Sequence, residues 1–221
     1  MPDRPRLVAL ISGGGTTLQN LIDRPAAGRL GVELVGVVSS KAGAFGVERA
    51  RRAGVPFAIV ERGRGVNGGG DKETRSGSLS PSFPERVWSA VRTFNADLVA
   101  LAGWLHLLPI PADFRQKVLN IHPSLLPAFG GKGMYGRHVH EAVLEYGAKV
   151  SGCTVHFADD TYDTGPIVVQ RSVPVVEGDT PDALAARVFE AECEAYPEAI
   201  ELVAAGRVRV EGRRVVIAPR G

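Results

Sequence analysis

An α/β fold, with a mostly parallel twisted sheet and helices on both faces, is predicted for this chain by three observations. Short apolar runs alternate with helix-period segments through the first two-thirds of the 221 residues. The runs are near-continuous, as in RLVALI at Arg6–Ile11 and VELVGVVS at Val32–Ser39, the pattern of strands buried on both faces. A glycine loop, Gly13-Gly14-Gly15, joins the first run to the first helical pattern. The length suits a single domain over 1–221, in an amino-terminal half to about 102 and a carboxy-terminal half from about 103.

Each element has its own signal. Leu18, Leu21 and Ile22 mark the first helix by their spacing. Phe45–Ala53 is a short helix stopped by Gly54, and Val55–Val60 is a third strand. Glu61–Ser82, rich in Gly, Ser and Arg, has no period and is long for a loop. Phe83–Phe94 sets Val87, Trp88 and Val91 on one helical face. Asp97–Ala102 is the fourth strand and runs into the apolar stretch Gly103–Pro109. Val118–His122 is the fifth strand, stopped by Pro123, which lacks a backbone donor. Phe129–Gly136 holds four glycines with a Lys and a Tyr and reads as a flexible loop. A helix follows over Arg137–Tyr146 and closes at Gly147. Lys149–Phe157 and Ile167–Val175 are strands around an acidic loop, Ala158–Pro166. Thr180 caps a helix from Pro181 to about Ala204. Val208–Ala218 is a terminal antiparallel hairpin turning at Gly212-Arg213.

Composition narrows the function. The formal net charge of +2 gives no global attraction to nucleic acid or to a membrane surface. No stretch reaches the roughly 18 apolar residues of a membrane span, and a cytoplasmic protein is expected. The two cysteines, Cys153 and Cys193, have no metal-ligand spacing and read as reduced core thiols, with no metal expected.

The chemistry concentrates after the fifth strand. Side chains on a strand alternate faces, so Asn120 and His122 point the same way, at the carboxyl end where open α/β sheets place ligands. An amide supplies N–H donors for a developing oxyanion, and an imidazole exchanges a proton near neutral pH. The glycine loop suits a phosphate, because the following helix presents free N–H groups and a partial positive charge. The Walker lysine is absent and position 18 is Leu, so the loop fits neither an ATP nor a dinucleotide motif. Alternative readings of these same residues are a buried, satisfied Asn–His pair and a plain tight turn.

SGGGTTLQNLI after the first strand, LAGW at the fourth, LNIHPSLLPAF, and GCTVHFADDTYDTGPIVVQ together resemble the folate-dependent formyltransferases of the glycinamide ribonucleotide transformylase type. The resemblance runs from about residue 6 to about residue 206. It implies a Rossmann-like formyltransferase fold and transfer of a formyl group from 10-formyltetrahydrofolate to the amine of 5'-phosphoribosylglycinamide, in purine synthesis. It implies a catalytic trio of Asn120, His122 and Asp163, with Asp163 keeping His122 protonated. By motif position Gly15, Thr16 and Thr17 match the phosphate loop and Glu192 a carboxylate that binds the ribose. Leu105, His106, Leu107 and Leu108 match the pterin-binding segment, joined by Asn120, Asp159, Asp160 and Asp163. The first half is then the phosphate-binding half and the second the catalytic and folate half. Small-molecule partners and a monomer or homodimer are expected.

The chain departs from the family at three places: Leu105-His106 stands where Met-Arg is common, Ser80-Pro81-Ser82 where an Arg often meets the folate tail, with Arg75 as a substitute, and the Gly130–Gly136 loop is longer than in common members. Three alternatives stand beside this reading, one of them a methionyl-tRNA formyltransferase, which needs a carboxy-terminal RNA-binding domain where only about 15 residues follow the last helix. A 10-formyltetrahydrofolate hydrolase shares the core but usually carries an extra amino-terminal domain, for which a first strand at residue 6 leaves no room. A non-catalytic nucleotide-binding module would use only the glycine loop and leave the trio without a shared purpose.

Overall fold

The computed structural model describes residues 4–26, 30–63 and 81–219. In chain order the elements are β1 (Arg6–Ile11), α1 (Thr16–Ala26), β2 (Glu33–Ser39), α2 (Phe45–Arg52), β3 (Phe57–Ile59), α3 (Phe83–Thr93), β4 (Leu98–Leu101), β5 (Val118–His122), α4 (Arg137–Tyr146), β6 (Val150–Phe157), β7 (Ile167–Pro174), α5 (Pro181–Ala204), β8 (Val208–Glu211) and β9 (Arg214–Ile217). The described residues form a seven-stranded sheet in the order β3-β2-β1-β4-β5-β6-β7, and β8 and β9 form the terminal hairpin. Strands β1 to β5 pair in parallel, while β6 and β7 are antiparallel. This is the Rossmann-like sheet expected.

The continuous apolar runs are explained by burial from both sides. Leu7, Ala9 and Ile11 of β1 pack with Leu18 and Leu21 of α1 and with Tyr196, Ala199 and Ile200 of α5. Val8 and Leu10 face the opposite way, onto Val87, Trp88 and Val91 of α3. Each fully buried leucine of this kind contributes about 2 kcal/mol. Helix α5 continues through Pro197 although proline removes a helix hydrogen bond, because Tyr196, Pro197 and Ile200 are all buried.

Two local features differ from the sequence reading. Strand β3 is shorter than Val55–Val60, and Ala112–Phe114 forms a 3-10 turn where no element was expected. Ser82 is the N-cap of α3: its hydroxyl accepts from the Glu85 N–H, and Glu85 Oε2 accepts from the Ser82 N–H at 2.7 Å. That S-x-x-E capping box opens α3 at the Ser80-Pro81-Ser82 stretch. Most of the aperiodic stretch 61–82, and Arg75 with it, lies outside the described residues.

The order places a switch point between β1 and β4, where the chain leaves one side of the sheet for the other. Such a point opens a crevice beyond the carboxyl ends of the strands. The loops leaving β1, β4 and β5 all meet there. The β5–β6 register sets Asn120 opposite His156 and His122 opposite Thr154.

Candidate active site

The crevice is a cavity of about 870 Å³, lined from the glycine loop by Gly13, Thr16 and Thr17 and from β5 by Asn120 and His122. Leu105–Leu108 with Asp159, Thr161, Tyr162 and Asp163 supply one wall, and α4 and α5, with Glu192, supply another. That volume lies within the range of small-molecule sites.

Asn120, His122 and Asp163 come together at its floor. His122 is 3% exposed. Its Nε2–H donates to the Phe129 carbonyl at 2.8 Å, and its Nδ1 lies 3.5 Å from Asp163 Oδ2. A carbonyl only accepts, so Nε2 carries a proton and Nδ1 is the ring atom left for proton exchange. Asn120 Nδ2 lies 3.1 Å from His156 Nε2 and 3.4 Å from Asp163 Oδ1. Asp163 accepts, so the amide nitrogen faces it. His156 Nδ1–H donates to the Phe157 carbonyl at 2.9 Å, which leaves its Nε2 as the acceptor for Asn120. Both Asn120 N–H groups are thus engaged, the longer and weaker bond being the one to Asp163. Gly131 completes the set by donating its N–H to Asp163 Oδ2 at 2.8 Å.

Two residues that present these contacts hold positive φ without being glycine: Phe129 at 54° and Asp163 at 57°. Such backbone costs on the order of 1 kcal/mol or more, and it clusters where geometry serves a site.

Burial pushes the His122 imidazole below its ordinary value, against the pull of Asp163 and of the Phe129 carbonyl and with a small push from His156. The Asp163 charge favours the imidazolium, and burial opposes it with the larger effect. Burial alone raises the Asp163 carboxyl; His156, the His122 charge and the Gly131 N–H together hold it below the usual carboxylate value. Glu192 opens onto the cavity with no hydrogen bond among the described residues, and burial pushes its carboxyl up to about 7.

The other expected residues divide. Thr16 and Thr17 open α1 on the cavity, but Gly15 does not line it. Gly15 has φ 71°, and a Cβ there would meet Gly46 Cα at 2.7 Å, so its part is to shape the loop. Leu105 and Leu107 are 43% and 41% exposed on the open cavity, and their N–H groups are taken by Ser12 Oγ and Tyr162 Oη. His106 packs edge-on against Phe83 and Trp104, and burial, then Arg62 and Lys41, hold it below its ordinary value. Asp159 lines the cavity, whereas Asp160 does not: its carboxylate accepts from the Ile110 N–H at 3.0 Å.

Sequence reasoning missed His156, Phe129 and Gly131. His156 reaches Asn120 only through the antiparallel β5–β6 register, which no local pattern specifies. The glycines before α4 were visible as a loop, though not as the clamp on Asp163.

The Formyl transferase family profile matches residues 5–200. The chain belongs to the formyl transferase family. Among members, it is 39% identical over 210 residues to the chloroplastic phosphoribosylglycinamide formyltransferase of Arabidopsis thaliana, covering 94% of this chain and 68% of that protein. It is 40% identical over 210 residues to the trifunctional purine biosynthetic protein adenosine-3 of Gallus gallus, covering 94% of this chain but 19% of that one. The crystal structure of glycinamide ribonucleotide transformylase 1 from Symbiobacterium toebii superposes with a TM-score of 0.85 at 40% identity, over 99% of this chain and 96% of that one. Among the described residues of this formyl transferase no group of three or more His, Cys, Asp or Glu is placed to hold a metal ion, and no helix is long and apolar enough to cross a membrane.

Proposed function

We propose that the protein transfers a formyl group from 10-formyltetrahydrofolate to the amine of 5'-phosphoribosylglycinamide, a step of purine biosynthesis. The observation that carries this reading is the joining, in one cavity, of the Asn120–His122–Asp163 floor to the helix-capped loop at Thr16 and Thr17. Relatives named for this reaction support it at 39–40% identity.

The phosphate sits on the free N–H groups at the start of α1, where the helix dipole favours an anion. Glu192 accepts from the ribose hydroxyls. The pterin lies along Leu105–Leu108 and the Asp159–Asp163 loop, covering the two exposed leucines. The substrate amine then attacks the formyl carbon, and the carbonyl oxygen becomes an oxyanion. Protonated His122 donates from Nδ1, and Asn120 turns its weakly held N–H from Asp163 to the same oxygen. Collapse breaks the bond from the formyl carbon to the folate nitrogen. The proton lost by the amine passes to that nitrogen, through Asp163 or water held by it. Asp163 favours the charged form of His122 while charge develops.

The test is a formyl-transfer assay with the ribonucleotide present and absent. Formyl transfer that requires the ribonucleotide is expected. Release of formate from the folate at an equal rate without it would favour a hydrolase.

A further inference from the structure

His140 is a second imidazole on the cavity wall, and nothing in the reaction above uses it. It lies in the first turn of α4, is 4% exposed, and lines the same cavity as His122. Its Nδ1 is buried and has no hydrogen-bond partner among the described residues. A buried polar atom left unpaired costs on the order of 1–3 kcal/mol, and native proteins rarely carry one without a reason. The other histidines at the floor are fully engaged: His122 through Phe129 and Asp163, His156 through Phe157 and Asn120.

The position of His140 selects the ligand it meets. Helix α4 packs on α5, the helix that carries Glu192, so His140 stands on the ribonucleotide wall and not on the pterin wall of Leu105–Leu108. It is also near enough to His122 to feel its charge. Between the ribose carboxylate and the reacting imidazole lies the aminoacyl arm of the acceptor. We propose that His140 is a further substrate-contacting residue, whose imidazole hydrogen-bonds that aminoacyl arm beside the reacting amine. The inference rests on the proposed acceptor substrate. Burial, with the His122 charge, holds the His140 ring below its ordinary value, so it meets the substrate as a neutral group with one donor and one acceptor.

Calorimetry with 5'-phosphoribosylglycinamide, and separately with the folate, tests it on three proteins: wild type, His140→Leu and His140→Asn. Leu keeps the approximate volume and removes the polar atoms; Asn returns a polar atom near the place of Nδ1. His140→Leu should bind the ribonucleotide about tenfold more weakly, the size of one hydrogen bond, with folate affinity unchanged. Its melting temperature should equal or exceed that of wild type, because an unpaired buried atom has been removed. His140→Asn should recover most of the lost affinity. Wild-type affinity in His140→Leu would overturn the proposal. So would a lowered melting temperature with equal loss of both ligands, which marks a merely structural residue. A wild type that binds no ribonucleotide would instead sink the parent reading, before any variant is compared.

Discussion

Gly131 donates its backbone N–H to Asp163 Oδ2 across 2.8 Å, so a glycine before α4 sets the direction of a carboxylate on the loop between β6 and β7. Two residues earlier, the Phe129 carbonyl holds His122. One short turn therefore fixes both partners of the His122–Asp163 pair.

Gly130→Ala tests that turn. An added Cβ would meet Leu126 Cδ2 at 2.5 Å and Asp163 Cβ at 3.3 Å. The leucine tip can move, while Asp163 must shift by a few tenths of an ångström. Steady-state kinetics should show kcat lower by roughly tenfold or more, since sub-ångström misplacement of a reacting group is costly. Calorimetric affinity for the ribonucleotide should stay near wild type.

Asp163→Asn should lower the His122 pKa further. Burial already holds it down, and the Asp163 charge is the largest opposing cause. Where rate depends on the imidazolium, activity falls as pH rises through this pKa. The falling limb of the pH–rate profile should therefore move to lower pH in the variant, with part of the lost rate returning on acidification. NMR titration of the His122 ring reports the pKa directly. An unchanged value would leave Asp163 as a proton relay only.

The glycine loop separates recognition from shape. Gly13 lines the cavity, and a side chain there meets nothing within 4 Å. Gly13→Asp should raise the KM for the ribonucleotide at least tenfold by placing a carboxylate at the phosphate end, with folate KM and melting temperature unchanged. Gly15→Val should instead lower the melting temperature and impair both substrates, through its positive φ and the contact with Gly46.

Much of the fold was legible because continuous apolar runs, glycine stops and the Thr180 cap are local signals. Helix α4 and strand β1 fall on the residues the periodicity marks. Asn120 and His122 were legible as a strand pair because side-chain alternation is a local rule. At Gly15 sequence shows that a glycine is needed, not that Gly46 is the neighbour that demands it. Asp160 was grouped with Asp163 because spacing cannot tell a carboxylate turned to Ile110 from one turned to the cavity. His156 and Gly131 depend on pairings across 36 and 32 residues, which no short motif records.

Glu192→Gln should alter stability in a pH-dependent way. Burial raises the folded carboxyl from 4.5 to about 7, so ionisation disfavours the folded state. That loss is absent below about 4.5, grows as pH rises toward 7, and is complete above it, with an upper bound of about 3 kcal/mol. In calorimetric melts the variant should match wild type at pH 4 and melt several degrees higher at pH 8. It should also lose ribonucleotide affinity, because Gln offers the ribose one acceptor in place of two.

Tyr196 lies one turn beyond Glu192 on α5 and is fully buried, with its hydroxyl 2.8 Å from the Leu119 carbonyl of β5 and 3.1 Å from the Leu101 carbonyl of β4. Glu192, the carboxylate proposed for the sugar, is thereby bolted through its helix to the same two strands whose ends carry Asn120 and the loop Leu105–Leu108. In the proposed reaction, grip on the sugar and aim of the formyl carbon therefore share one buried frame.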